Sequence, residues 1–128
     1  MSSVVLDASA ILAIIFAEPG YEKLTPSLLA RAVASTVNLS EAHAKLVGLG
    51  WNPDDAWEDV TSPIVRAVDF DADMAKAAGS LVRQTKALGL SLGDRACLAV
   101  GATLAAPVYT ADSAWKQLKI GVTIHTLR

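Results

Sequence analysis

Short apolar runs of β type alternate along the chain with stretches of helical periodicity. Ser3–Leu6 reads as a strand that Asp7 ends. Ala8–Phe16 reads as a helix apolar nearly all round, the pattern of a buried helix, and Pro19-Gly20 stops it. Tyr21–Ala32 reads as a second helix, with Pro26 either inside its opening turn or splitting it. Val33–Val37 is a second strand, and Asn38–Leu49 a helix with Glu41 in its first turn and Gly50 at its end. Pro53–Val60 makes a short helix, since Pro suits a first turn, and Ile64–Val68 a third strand. The periodicity is clearest over Asp71–Leu88: Met74, Ala78, Leu81, Val82 and Thr85 share one face, while Lys76, Arg83 and Lys86 look outward. Gly89 ends that helix. Leu92–Leu104 is a helix of small apolar residues suited to lying flat on a sheet. Pro107–Thr110 is a fourth strand, Ser113–Lys119 a short helix and Val122–Thr126 a last strand.

Apolar strands alternating with helices imply a mainly parallel sheet covered on both faces. With right-handed crossovers this is an α/β fold, a three-layer α/β/α sandwich of about five strands. The 128 residues fit one domain, 1–128. A hydrophobic content of 52% with 19% charged residues supplies a core and excludes a disordered chain. One cysteine, Cys97, excludes an intrachain disulfide; it lies in the apolar run Ala96–Val100 and reads as a buried thiol in a reducing cytoplasm. No basic region precedes the first apolar stretch, and the stretches Ala10–Ala17 and Ala96–Val108 are too short for a bilayer. A soluble cytoplasmic protein without membrane contact is expected. The net charge of −2 argues against a protein that coats RNA through phosphate contacts alone. It leaves open a nuclease whose positive charge arrives as bound metal.

Four acids occupy related positions. Asp7 follows the first strand, Glu41 opens the helix after the second, and Asp112 lies just past the fourth. The carboxyl ends of parallel strands share one edge, where ligand crevices form, so these three converge there. Asp94 joins them if its helix begins above the same edge. Crowded carboxylates repel unless a cation sits among them. The hard oxygen donors suit Mg²⁺ or Mn²⁺, one ion or two, which would activate water and stabilise phosphoryl charge. Taken singly, each acid is better explained as a helix cap. Asn38-Leu39-Ser40-Glu41 and Ser91-Leu92-Gly93-Asp94 fit capping boxes or a close variant, and Asp7 and Asp112 fit plain N-caps. The collective arrangement favours the metal site.

These residues resemble a known family. Val5-Leu6-Asp7-Ala8-Ser9-Ala10 with Glu18-Pro19-Gly20, then Ser40-Glu41, Ser91-Leu92-Gly93-Asp94-Arg95 and Thr110-Ala111-Asp112, resemble in order the motifs of PIN-domain proteins, specifically VapC-type toxins of bacterial toxin–antitoxin pairs. The resemblance covers essentially the whole chain and extends to the ending Ile124–Arg128. It implies strand order 3-2-1-4-5 and Mg²⁺- or Mn²⁺-dependent endoribonuclease activity on structured RNA, often transfer or ribosomal RNA. It also implies a homodimer and a cognate antitoxin protein. Asp7, Glu41, Asp94 and Asp112 would bind metal directly or through water. Ser9 and Thr110 would hydrogen-bond those carboxylates, and Arg95 would sit beside the site and pair with a carboxylate or a phosphate.

Other features add no rival centre. Asp69-x-Asp71-x-Asp73 begins like a calcium loop, but Met74 and Ser80 occupy the positions of its glycine and its glutamate. His43 and His125 lack metal-ligand spacing, and no Ser-His-Asp, Walker or dinucleotide pattern occurs. Trp51, Trp57 and Trp115 suit core edges, the first two near helices that would face an antitoxin. A phospho-receiver reading fails because Asp7 stands alone after the first strand and Lys116 and Lys119 are poorly placed. A non-catalytic binding module with the same fold, and an RNA-processing nuclease outside any toxin pair, remain the alternatives.

Overall fold

In the computed structural model, residues 2–128 are described. Five parallel strands form one sheet: β1 (Val4–Leu6), β2 (Ala32–Ser35), β3 (Arg66–Val68), β4 (Val108–Thr110) and β5 (Ile124–Thr126), in the order β3-β2-β1-β4-β5. The order and the parallel sense agree with the sequence reading. Every pair is parallel, with Val5 opposite Val33 on one side and Val108 on the other. The order reverses between β1 and β4, which opens a crevice at their carboxyl ends.

The central strands bury both faces, because their side chains alternate between two cores. Val4, Leu6, Ala32 and Ala34 pack with Ala10, Ile11, Leu39 and Leu46 on one side. Val5, Val33 and Val108 pack with Met74, Ala78, Leu98 and Trp115 on the other. The first layer holds α1 (Ala8–Ile15), α3 (Thr36–Gly48) and α4 (Pro53–Thr61); the second holds α5 (Ala72–Ser80) and α7 (Leu92–Leu104). Gly101 of α7 lies where a Cβ would meet Val108 Cγ2 at 2.6 Å, so the small residues of α7 do bring it flat onto the sheet. No helix among the described residues is long and apolar enough to cross a membrane.

Three segments differ from expectation. Residues 21–32 do not form one helix: a 3₁₀ turn, Tyr21–Lys23, precedes α2 (Pro26–Leu29), which Thr25 caps, and Ala32 already belongs to β2. Pro26 therefore splits the segment by starting a new helix. β2 ends at Ser35, whose hydroxyl accepts from Val37 N, so α3 begins at Thr36. Asn38 is thus no cap, and Glu41 lies in the second turn. The long helix over 71–88 breaks at Leu81 into α5, α6 (Val82–Thr85) and a 3₁₀ turn at Lys86–Leu88. Gly79 weakens the helix, and the Ser80 and Thr85 hydroxyls donate back to Lys76 O and Leu81 O, contacts that bend helices. Val82, expected on the inner face, is 49% exposed.

Candidate active site

The crevice beside β1 is lined by Asp7, Glu41, Asp94 and Asp112, with Asn38, Lys45 and Ser9 between them, around a cavity of about 320 Å³. Each acid arrives on a different element. Asp7 caps α1 directly after β1, Glu41 projects from α3, Asp94 from the first turn of α7, and Asp112 caps the 3₁₀ turn after β4. The start of α7 does lie above the strand ends, which places Asp94 with the other three.

Asp7 is the buried member, 4% exposed. Its Oδ1 accepts from Ser9 Oγ at 2.7 Å and Ala10 N at 2.8 Å, and its Oδ2 from Thr110 Oγ1 at 2.6 Å. Thr110 Oγ1 also accepts from Asp112 N, and Ser9 Oγ from Ala111 N, so one network ties the end of β1 to the end of β4. Burial pushes the Asp7 carboxyl up from 3.8 to about 6, against the lowering effect of the Thr110, Ser9 and Ala10 donors; the charge of Asp94 adds to the rise. Cys97 is fully buried beneath the site, and burial first, then the charges of Asp7, Asp94 and Glu41, raises its thiol well above its ordinary value. It is a core thiol, not a nucleophile.

The other three acids are each held through one oxygen. Glu41 Oε1 accepts from Asn38 Nδ2, Asp94 Oδ2 from Ser91 N, and Asp112 Oδ1 from Ala114 N. Ser91 and Asp94 form a reciprocal capping box. For Asp94 and Asp112 capping and site duty therefore coexist, and in all three acids the second oxygen has no protein donor among the described residues. All these donors are hard oxygens, and Asn38 Oδ1 is a further buried acceptor without a partner. Among the described residues no three acidic, His or Cys side chains close on one point as a ligand set. The cavity wall and that observation are compatible for Mg²⁺ or Mn²⁺. Mg²⁺ in particular takes few carboxylates and keeps several waters. The residues fit such an ion and do not fit zinc.

Arg95 does not join the site. Its Nη1 donates to Ala78 O of α5 at 3.1 Å, and it lines no part of the cavity. One residue along a helix is a turn of about 100° from Asp94, so neighbours in sequence face apart. Asn38 and Lys45 were missed by the sequence reading, yet they stand three residues before and four after Glu41 and so share its face. His43 is engaged by Pro53 O and the Trp57 ring, and His125 stacks near Tyr109.

The family profile described as PIN domain matches residues 4–121. The chain belongs to the PIN-domain family. Its four acids thus lie in a PIN fold at the ends of β1 and β4 and the starts of α3 and α7. Among solved structures, this PIN domain is similar to the DNA-bound VapBC complex of Salmonella typhimurium, at TM-score 0.75 and 16% identity with 100% of each chain covered. It is also similar to VapC20 of Mycobacterium tuberculosis, a Sarcin-Ricin loop cleaving toxin, at TM-score 0.72 and 19% identity over 94% of this chain and 99% of that one. A toxin–antitoxin complex from Klebsiella pneumoniae gives TM-score 0.74 and 15% identity, with 98% of each chain covered. At these identities the likeness is one of fold. Compared with curated proteins, the sequence finds no match.

Proposed function

We propose that this PIN domain is a divalent-metal-dependent endoribonuclease, the VapC-type toxin of a toxin–antitoxin pair. The observation that carries the reading is the meeting of four carboxylates from four separate elements in one cavity, three of them with one oxygen left unengaged. Asp7, Glu41, Asp94 and Asp112 would hold Mg²⁺ or Mn²⁺, directly or through water. When bound, such an ion supplies activated water and offsets charge developing on the phosphoryl oxygens.

The chain's own residues do the positioning. Ser9, Thr110 and Ala10 N fix both oxygens of Asp7 and keep it oriented. The capping box fixes Asp94 at the start of α7. Lys45 brings an ammonium to the cavity wall, where it can meet a phosphate oxygen of the RNA. Attack by water at phosphorus forms the new P–O bond as the P–O3′ bond breaks; the 3′-oxygen leaves and takes up a proton, giving a 5′-phosphate and a 3′-hydroxyl, and no 2′,3′-cyclic phosphate forms.

The partners follow from the same reading. An apolar groove of about 560 Å³, lined by Ile14, Ile15, Leu29, Trp51, Ile64 and Val65, lies on the α1–α4 side and suits an antitoxin segment. The solved complexes named above pair a toxin with its antitoxin. A cytoplasmic homodimer acting on structured RNA completes the proposal.

Calorimetric titration with Mn²⁺ tests the metal. Wild type binds Mn²⁺, melts higher in its presence and loses the gain with EDTA; at a hundredfold excess over Kd the stabilisation is about 2.7 kcal/mol. Glu41→Gln binds more weakly. A wild-type melt indifferent to Mn²⁺ would leave the acids with structural roles alone.

A further inference from the structure

Asn38 sits one turn before Glu41 on α3 and is 1% exposed. Its Nδ2 donates to Glu41 Oε1 at 2.9 Å and to Gly93 O, at the start of α7, at 3.0 Å. Both partners are acceptors, so the amide nitrogen must face them, and its Oδ1 is left buried without a donor. The Glu41 carboxylate lies against Gly93, in the space that a Cβ there would occupy. We infer that Asn38 and Gly93 form a clamp that sets the Glu41 carboxylate at the cavity wall, with Asn38 the positioning residue and Gly93 the seat.

Two observations separate this from ordinary packing. The amide leaves its Oδ1 buried without a partner, at a cost to stability. That cost is offset by the two Nδ2 bonds, one of which goes to the Glu41 carboxylate. The three atoms nearest to a Cβ built at Gly93 all belong to the Glu41 carboxylate. A glycine in a helix is itself unfavourable relative to alanine, so its place here is explained by the carboxylate it admits. The clamp joins Asn38 of α3 to Gly93 of α7, 55 residues apart, and so fixes Glu41 relative to Asp94. Outer partners of this kind orient metal ligands, and their loss typically weakens metal affinity or activity about 10- to 100-fold.

The inference rests on the metal-dependent reading above. Asn38→Leu and Gly93→Ala test it from opposite sides, by thermal melting, Mn²⁺ calorimetry and a crystal structure of each variant. Asn38→Leu is expected to remain folded, with a cooperative melt, and to bind Mn²⁺ at least 10-fold more weakly, with Glu41 moved off Gly93. Gly93→Ala gives the same weakening with Asn38 intact. Wild-type Mn²⁺ affinity in both variants would overturn the clamp while leaving the metal site standing. A wild type that binds no Mn²⁺ would instead remove the metal reading, and Glu41 still seated in the Asn38→Leu crystal would then overturn the clamp by itself.

Discussion

Asp7→Asn should make the protein more stable at neutral pH and at the same time abolish its cleavage of RNA. Asp7 is buried at the end of β1, and that burial is the main cause of its rise from 3.8 to about 6. Between those values the folded protein binds a proton that the unfolded chain has released. The contribution of Asp7 to stability is therefore greatest below about pH 4, falls as pH rises to about 6, and is level above it. At about 1.4 kcal/mol per pH unit, the ionised carboxylate costs roughly 3 kcal/mol at pH 7.5. Asparagine removes that charge and keeps the bonds: its Oδ1 still accepts from Ser9 and Ala10, and its Nδ2 donates to Thr110 Oγ1, whose hydroxyl turns to Ser9 Oγ 3.3 Å away. Metal-free Asp7→Asn should melt higher than wild type at pH 7.5, by about 10 °C. The two curves should converge as pH falls to about 4. Cleavage should drop roughly 10³-fold, the scale for losing a group that stabilises the transition state. With Mn²⁺ below saturation, wild-type cleavage should fall as pH drops, because a proton competes with the cation for Asp7, and added Mn²⁺ should shift that fall to lower pH. A variant that melts lower by about 1 kcal/mol, as a lost cap would, contradicts the account of the buried charge.

Gly20→Ala should cost the most stability of any single methyl addition on the surface loops. Gly20 has φ +93°, in the left-handed region, and a Cβ there would run into the backbone carbonyl of Leu127. Leu127 is 1% exposed and its N–H donates to Thr110 O at 2.9 Å, so the chain end has no room to retreat without leaving β4. The unfavourable φ and the overpacking each cost about 1–3 kcal/mol. Urea unfolding should show a loss of about 2–5 kcal/mol. Gly121→Ala is the control: its φ is +77°, but a Cβ would meet nothing within 4 Å, so only the conformational part remains. Because Thr110 holds Asp7, Gly20→Ala should lower cleavage as well. Equal losses in the two variants would mean that the Leu127 contact is not tight.

The strand-end acids were legible because two simple rules act together: parallel strands share a carboxyl edge, and a short polar residue at each strand end both caps and points outward. Asp7 and Asp112 follow directly. Asp94 needed the capping box, which fixes where α7 begins. The start of α3 was less legible, since Val33–Val37 has the composition of a strand throughout. Only the Ser35 hydroxyl, turning back to Val37 N, ends it early. That shift of two residues is what carries Asn38 from a cap into the buried clamp. Arg95, which only the resemblance places beside the site, lies about 100° round α7 from Asp94 and donates to Ala78 O instead. The apolar periodicity of 71–88 predicts one helix, but the weak pair Gly79-Ser80 ends α5 at Ser80, with Leu81 its C-cap.

The most direct test of the central claim is the chemistry of the cut ends. Purified protein freed of any bound partner is incubated with total cellular RNA and Mn²⁺, with EDTA and Asp7→Asn alongside, and the products are sequenced from both ends. Discrete fragments bearing 5′-phosphate and 3′-hydroxyl ends, absent with EDTA and with Asp7→Asn, are the predicted result. Intact RNA in every lane, or fragments ending in 2′,3′-cyclic phosphate, would contradict a metal-dependent hydrolysis at these four acids.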